Sequence, residues 1–228
     1  AIQQELGQHQ GTFAVAFEDL STGQRILIHE HEVFHAASTM KTPVMIEVFK
    51  QSAEGKFSLA DSVVIKNEFK SIVDGTAYSL NASVDSEQLL YSRIGKKLPL
   101  STLVYSMIIS SSNLATNIVV ELVDAGKVTQ TMRELGAKDI QVLRGVEDSK
   151  AFENGLINTV TAYDLMLIYG KMANREIVDR QSSQAMIDIL SDQRFNTIIP
   201  ARLPADVKVA HKTGNITGVE HDTGIVFL

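Results

Sequence analysis

Strand-like alternation stands at both ends of this chain, and helical periodicity fills most of the stretch between them. In GTFAVAFEDL (residues 11–20), Phe13, Val15 and Phe17 fall on one side of an extended backbone. Ser21-Thr22-Gly23-Gln24 supplies turn residues, and Arg25 to Glu30 reads as a second strand, so a hairpin is expected. The far end alternates through Val207 and Val209, is expected to turn at Gly214 to Gly218, and continues from Gly224 to Leu228. From Ala37 onward, Met40, Val44, Met45 and Val48 recur at three- and four-residue spacing, the pattern of a helix. The resulting expectation is an α/β fold, with an antiparallel sheet flanked by helices and an inserted all-helical lobe. A single domain covers 1–228, with the α/β lobe at about 1–37 and 191–228 and the helical lobe at about 38–190.

Within the middle stretch, Pro43 falls in the first turn or so of its helix, where a missing N–H costs little. Thr102 to Ile109 and Leu114 to Val123 read as helices interrupted at Ser110 to Asn113, and a short helix, Val128 to Leu135, follows Gly126. Thr161 to Ala173 and Asp179 to Leu190 are amphipathic, with Thr161 and Asp179 as N-caps. Residues 51–100 are polar and irregular, a long connection, and Arg144 to Asn158 reads as a structured loop.

With 228 residues, 44% of them hydrophobic and 21% charged, the chain can bury a sizeable core. A net charge of −6 lacks the basic face that tracking nucleic-acid phosphates needs. The apolar run Val119 to Val123 is short and broken by Glu121, so no membrane span is expected. Without cysteine there is no disulfide framework and no thiolate chemistry. The opening AIQQELGQHQ has neither an initiator Met nor a basic-apolar leader; a processed or trimmed start is the expectation, and export stays open. His29, His31 and His35 cluster, and His211 and His221 flank the last turn. A zinc site needs three or four convergent ligands, and HEH at a strand exit is more often solvated, so neither metal nor cofactor is expected. His211 is assigned to a pocket wall.

Chemistry concentrates in three places. Ser38 and Lys41 lie three apart in AASTMKTP and so share a helical face, near free N–H groups at the helix start. A serine hydroxyl needs a base to become nucleophilic, and a neutral lysine amine serves. A Ser-x-x-Lys pair alone is common by chance. Ser111-Ser112-Asn113 sits in the break between two helices, and alone would pass as a polar turn. Lys212-Thr213-Gly214 is the rarest of the three: an ammonium and a hydroxyl on a strand edge suit a carboxylate, and the glycine admits close backbone approach.

Taken together and in this order, S-x-x-K, S-x-N and K-T-G resemble the signature of class A β-lactamases and penicillin-binding proteins. FHAASTMKTPV, MIISSSNLATNIV and LPADVKVAHKTG extend the likeness, which runs from Thr12 to Leu228, although residues 66–100 are longer and different. The resemblance implies Ser38 as acyl-forming nucleophile, Lys41 as its base, and Ser111 as a proton relay to the leaving nitrogen. It implies Asn113 as a holder of Lys41 and substrate amide, Lys212 and Thr213 as carboxylate binders, and the N–H groups of Ser38 and Asn215 as the oxyanion hole beside Gly214. Lys212 is expected to help keep Lys41 neutral.

The chain also departs from the family pattern. Ser112 replaces an aspartate. The family's loop has Arg-x-Glu, with an Asn four residues after the Glu and a closing Asp. Here Arg144 is followed by Gly145-Val146-Glu147, position 151 is Ala, and Asn158 occupies the place of the Asp. Glu147 is the candidate for activating the deacylating water, with Glu153 as second choice. The family continues past the K-T-G hairpin with another strand and a helix, so the end at Leu228 is expected to leave a sheet position unfilled, as in a fragment of a longer protein. The implied activity is opening of β-lactam rings through an acyl-enzyme on Ser38. The alternatives are a D-Ala-D-Ala peptidase or esterase acting on peptidoglycan-like substrate, and a slowly deacylating penicillin-binding sensor. A monomer, periplasmic or secreted, is expected.

Overall fold

The computed structural model describes residues 2–228, beginning with a short helix, α1 (Ile2–Leu6). The first hairpin forms as its alternation predicts: β1 (Val15–Glu18) pairs antiparallel with β2 (Arg25–Ile28). Asp19 shapes the turn, its carboxylate accepting from the N–H and hydroxyl of Ser21 at 2.8 and 2.7 Å, while Gly23 takes a φ of 72°. After β3 (Phe34–His35) comes a 3-10 turn, Ala37–Met40, which runs directly into α2 (Lys41–Ala53). Pro43 lies in the first turn of α2, as expected.

Helix α2 is the axis of the molecule. Lys41 to Phe49 are all buried, and Met40, Val44, Met45 and Val48 have no exposed surface. Burying such a side chain fully contributes roughly 1.5–3 kcal/mol, so this helix anchors the core. Around it pack α3 (Leu100–Ile109), α4 (Asn113–Val123), α5 (Ala125–Glu134) and, further along the chain, α8 (Arg180–Ser191). Residues 51–100 hold more structure than a plain connection. β4 (Ser62–Val64) pairs with β7 (Lys97–Pro99), and β5 (Phe69–Lys70) with β6 (Ala77–Tyr78). Two- and three-residue strands joining distant segments leave no readable alternation, which is why the pattern reads as irregular.

Three further details differ from expectation for local reasons. Helix α5 starts at Ala125 because the Asp124 carboxylate, accepting from Gly126 and Lys127 N–H, takes Gly126 into the first turn. The Arg144–Asn158 loop contains one turn of helix, α6 (Ser149–Glu153), capped by Asp148 through the Ala151 N–H at 3.1 Å. In the C-terminal hairpin, β9 (Lys208–Ile216) pairs with β10 (Val219–Phe227), so the turn is Thr217-Gly218 and Gly214 lies within a strand. After β8 (Thr159–Val160), α7 (Ala162–Ala173) and α8 begin at Thr161 and Asp179, which cap them as predicted.

The α/β class with antiparallel pairing is as expected, but among the described residues the ladders of the two long hairpins are not joined. Both β1 and β10 lie against α7, and a cleft of about 850 Å3 separates them, lined by Phe13, Val15, Phe17, Tyr169 and Ile225 among others. Among the described residues, no helix is long and apolar enough to cross a membrane.

Candidate active site

Ser38 is the one residue between Ala36 and Phe49 that is not buried. Ser38 lies in the 3-10 turn that leads into α2, and the N–H of Lys41, three residues on, donates back to the Ser38 carbonyl. Just before it, Ala37 has a φ of 44°, a left-handed conformation that costs an alanine about 1–3 kcal/mol. Its N–H donates to Nδ1 of His35 at 3.0 Å, and that bond holds the turn.

Lys41 and Lys212 both converge on Ser111. Lys41 Nζ donates to the Ser111 carbonyl at 2.7 Å and to Asn113 Oδ1 at 2.9 Å, and lies 3.1 Å from Ser111 Oγ. Lys212 Nζ reaches the same hydroxyl at 3.2 Å and the Thr213 carbonyl at 2.8 Å. Both lysines are fully buried. Burial pushes Lys41 down to about 7, against the pull of the Asp85 and Glu147 carboxylates. Lys212 is held well below the usual lysine range, first by burial and then by the charge of Lys41, with Asp222 acting in the opposite sense. Burial, rather than Lys212, is therefore the leading reason that Lys41 has a substantial neutral population near pH 7. Neutral Lys41 keeps two N–H donors for Ser111 O and Asn113 Oδ1 and turns a lone pair to a hydroxyl.

Gly214 lets strand β9 run against the turn that carries Ser38. A Cβ there would lie 3.1 Å from the Ser38 nitrogen and 3.2 Å from side-chain atoms of Ala37 and Thr39. Thr213 is half-buried beside it, and Asn215 is exposed at the strand's outer end. The K-T-G triplet and the S-x-x-K turn are thus in contact, although 170 residues and more separate them.

The loop carrying Glu147 comes in from the side of α4. Asn113 Nδ2 donates to Glu147 Oε1 at 2.6 Å, so one amide joins Lys41 to that carboxylate. Glu147 is exposed and has a φ of 61°. Glu153, the second candidate, ends α6, is exposed, and makes none of the site's hydrogen bonds. Asn158 holds the loop's base: its Oδ1 accepts from Leu143 and Arg144 N–H at 2.8 and 3.3 Å, and its Nδ2 donates to the Arg144 carbonyl at 2.9 Å. An amide can do both, whereas the Asp of the family pattern could only accept. The Arg144 guanidinium donates to the carbonyls of Leu156 and Gly145. Position 151 presents a buried alanine.

Sequence reasoning missed Asn117, Tyr78 and Asp85, and weighed His35 only as a member of a histidine cluster. Asn117 lies four residues after Asn113, on the same face of α4, a spacing that could have flagged it. Its Oδ1 accepts from Val146 N–H at 2.6 Å and its Nδ2 donates to the Val146 carbonyl at 3.0 Å, which the Tyr78 hydroxyl also reaches at 3.3 Å. Gly145 makes room for this, since a Cβ there would collide with the Asn117 amide. The other histidines diverge: His29 bonds the Phe13 carbonyl, His31 faces Asp139, and His221 bonds the His35 carbonyl. His211, assigned above to a pocket wall, is buried between Asp222 and Asn196 at 2.8 and 3.0 Å. Among the described residues, no cluster of three or more metal-ligating side chains occurs.

Comparison with known proteins finds the same overall fold in solved structures. A β-lactamase from Sphaerobacter thermophilus DSM 20745 superposes with a TM-score of 0.81 at 25% identity, covering 94% of this chain and 77% of that one. PBP-A superposes with a TM-score of 0.83 at 26% identity, covering 100% and 80%. A PBP-A variant solved as an acyl-enzyme complex with penicillin G gives 0.82 at 27% identity, covering 100% and 80%. A search of curated protein sequences returns no match. The family model described as the beta-lactamase enzyme family matches residues 1–228, and the fold is that of a serine hydrolase of this kind. The chain belongs to the beta-lactamase enzyme family.

Proposed function

We propose that the protein opens β-lactam rings through an acyl-enzyme on Ser38. The observation that carries this reading is the position of the Ser111 hydroxyl, 3.1 Å from Lys41 Nζ and 3.2 Å from Lys212 Nζ, beside the one accessible residue at the start of α2. Neutral Lys41 takes the Ser38 proton as Oγ attacks the lactam carbonyl carbon. The Ser38 and Asn215 N–H groups stabilise the oxyanion. As the C–N bond breaks, a proton passes from Lys41 through Ser111 to the leaving nitrogen. Lys212 and Thr213 hold the substrate carboxylate. Glu147 then takes a proton from a water, which attacks the ester carbonyl; the ester's C–O bond breaks, Ser38 regains its proton, and the ring-opened acid leaves.

A second reading has a specific observation in its favour. The buried alanine at position 151 offers no polar group to help Glu147 hold a water. Slow deacylation follows from that, as in a penicillin-binding sensor or a D-Ala-D-Ala peptidase or esterase. Either reading places the protein outside the cytoplasm, where peptidoglycan-like substrates lie, and takes it to act as a monomer.

Intact-protein mass spectrometry after mixing with a penicillin and a cephalosporin tests both. An adduct that forms and clears while hydrolysed drug accumulates supports the β-lactamase; a persistent adduct supports the second reading. An adduct that survives Ser38→Ala sinks both assignments.

A further inference from the structure

Ser111-Ser112-Asn113 carries a serine where the family has an aspartate, yet a buried carboxylate stands at that helix start all the same. It belongs to Asp85, only 3% exposed, in the polar segment before α3. Asp85 Oδ2 accepts from the N–H groups of Asn113 at 3.0 Å and Leu114 at 2.9 Å, and from the Tyr91 hydroxyl at 2.9 Å. The Ser112 hydroxyl approaches it at 3.5 Å, and Asp85 Oδ1 accepts from Glu87 N–H at 2.9 Å. Ser112 itself caps only the next donor, Ala115 N–H at 3.2 Å. The first turn of α4 therefore has its donors met by two residues, one of them remote in sequence.

We propose that Asp85 is a positioning residue for the reaction at Ser38: its carboxylate fixes the start of α4, so that Asn113 reaches both Lys41 and Glu147, and sets a buried negative charge against buried Lys41. Two independent features support this. Ser111, immediately before the capped turn, sits at a φ of 55°, a conformation that persists only where its surroundings hold it. The charged groups acting on the Lys41 ammonium are Asp85 and Glu147 on one side and Lys212 on the other, and of the two carboxylates only Asp85 is buried. The inference rests on the reading of Ser38 and Lys41 given above.

The test is an NMR titration of the Lys41 side chain, run beside the pH profile of acylation by penicillin G. Asp85→Asn keeps the shape and one acceptor oxygen but removes the charge. The Lys41 midpoint is expected to fall by about one unit, with the acid limb of acylation following it. Asp85→Ala also frees the helix start, and acylation at the plateau drops roughly tenfold or more. Adding Ser112→Asp to Asp85→Asn restores the midpoint. A purely structural role would lower the melting temperature and leave the midpoint in place, and that result in folded Asp85→Asn protein overturns the proposal. If Asp85→Asn alone does not fold, the double variant must fold and titrate like the wild type, and its failure overturns the proposal too. The titration needs no substrate, so a wild type that penicillin G never acylates counts against the reading of Ser38 and not against this placement of Asp85.

Discussion

Asn117 grips Val146 by both ends of its backbone, accepting its N–H at 2.6 Å and donating to its carbonyl at 3.0 Å. Glu147 is the next residue, so this pair sets where the loop's carboxylate emerges. Asn113, one turn earlier on the same helix, receives it.

Gly145→Ala should break that grip. The new methyl has no room beside the Asn117 amide, and overpacking of this kind costs about 1–3 kcal/mol. Chemical denaturation should register the loss. If Glu147 activates the water, the penicillin adduct should also persist longer while the rate of its formation changes little. Unchanged adduct clearance would separate the grip from deacylation.

Glu147→Gln keeps a partner for Asn113 and removes the base. Time-resolved mass spectrometry is expected to show an adduct that forms as before and clears at least about a hundredfold more slowly, the usual scale for loss of a general base. Clearance at the wild-type rate would transfer the role to Glu153 or to no carboxylate.

Acylation should follow the neutral form of Lys41. With this group at about 7, the rate rises with pH up to that region and levels above it, whereas an ordinary lysine would place the limb near pH 10.5. Stopped-flow acylation between pH 5 and 9 measures the limb. A flat profile across that range would exclude Lys41 as the base.

His35 predicts a second pH effect, on stability. Burial, helped by Arg144 and His221, lowers His35 below its ordinary value of 6.5, and the unprotonated Nδ1 this favours is the one that accepts from Ala37 N–H. The unfolded chain then binds the extra proton more readily than the folded one, so this contribution is present above pH 6.5 and is lost as pH falls through the folded value. His35→Asn retains an acceptor without titrating. Melting temperatures of the two proteins should converge toward acid and separate above pH 6.5; parallel curves would show that the bond to Ala37 carries no such linkage.

Much of this molecule can be read along the chain, because the signals involved are short-range. The β1–β2 hairpin, the course of α2, the break at Ser110 to Asn113 and the caps Thr161 and Asp179 all follow from residues a few positions apart. Ser38 and Lys41 draw notice in the same local way, as a serine and a lysine three residues apart at a helix start. Periodicity fails where strands shrink to two residues, as in β5 and β6, and where one side chain redraws a boundary, as Asp124 does for α5.

The rest depends on contacts between segments far apart, and no local pattern encodes them. Lys41 is lowered by burial only because a distant segment, Ser111 to Asn113, closes over its amine, and burial has no signature in the four residues around a lysine. Glu147 is distinguished from Glu153 by the Asn113 amide and by the Asn117 grip on Val146. Asp85 reads as one acid in a polar segment until folding lays its carboxylate on the N–H groups of Asn113 and Leu114. Residue types specify what chemistry is available; desolvation and convergence, which exist only in the packed chain, specify where it happens.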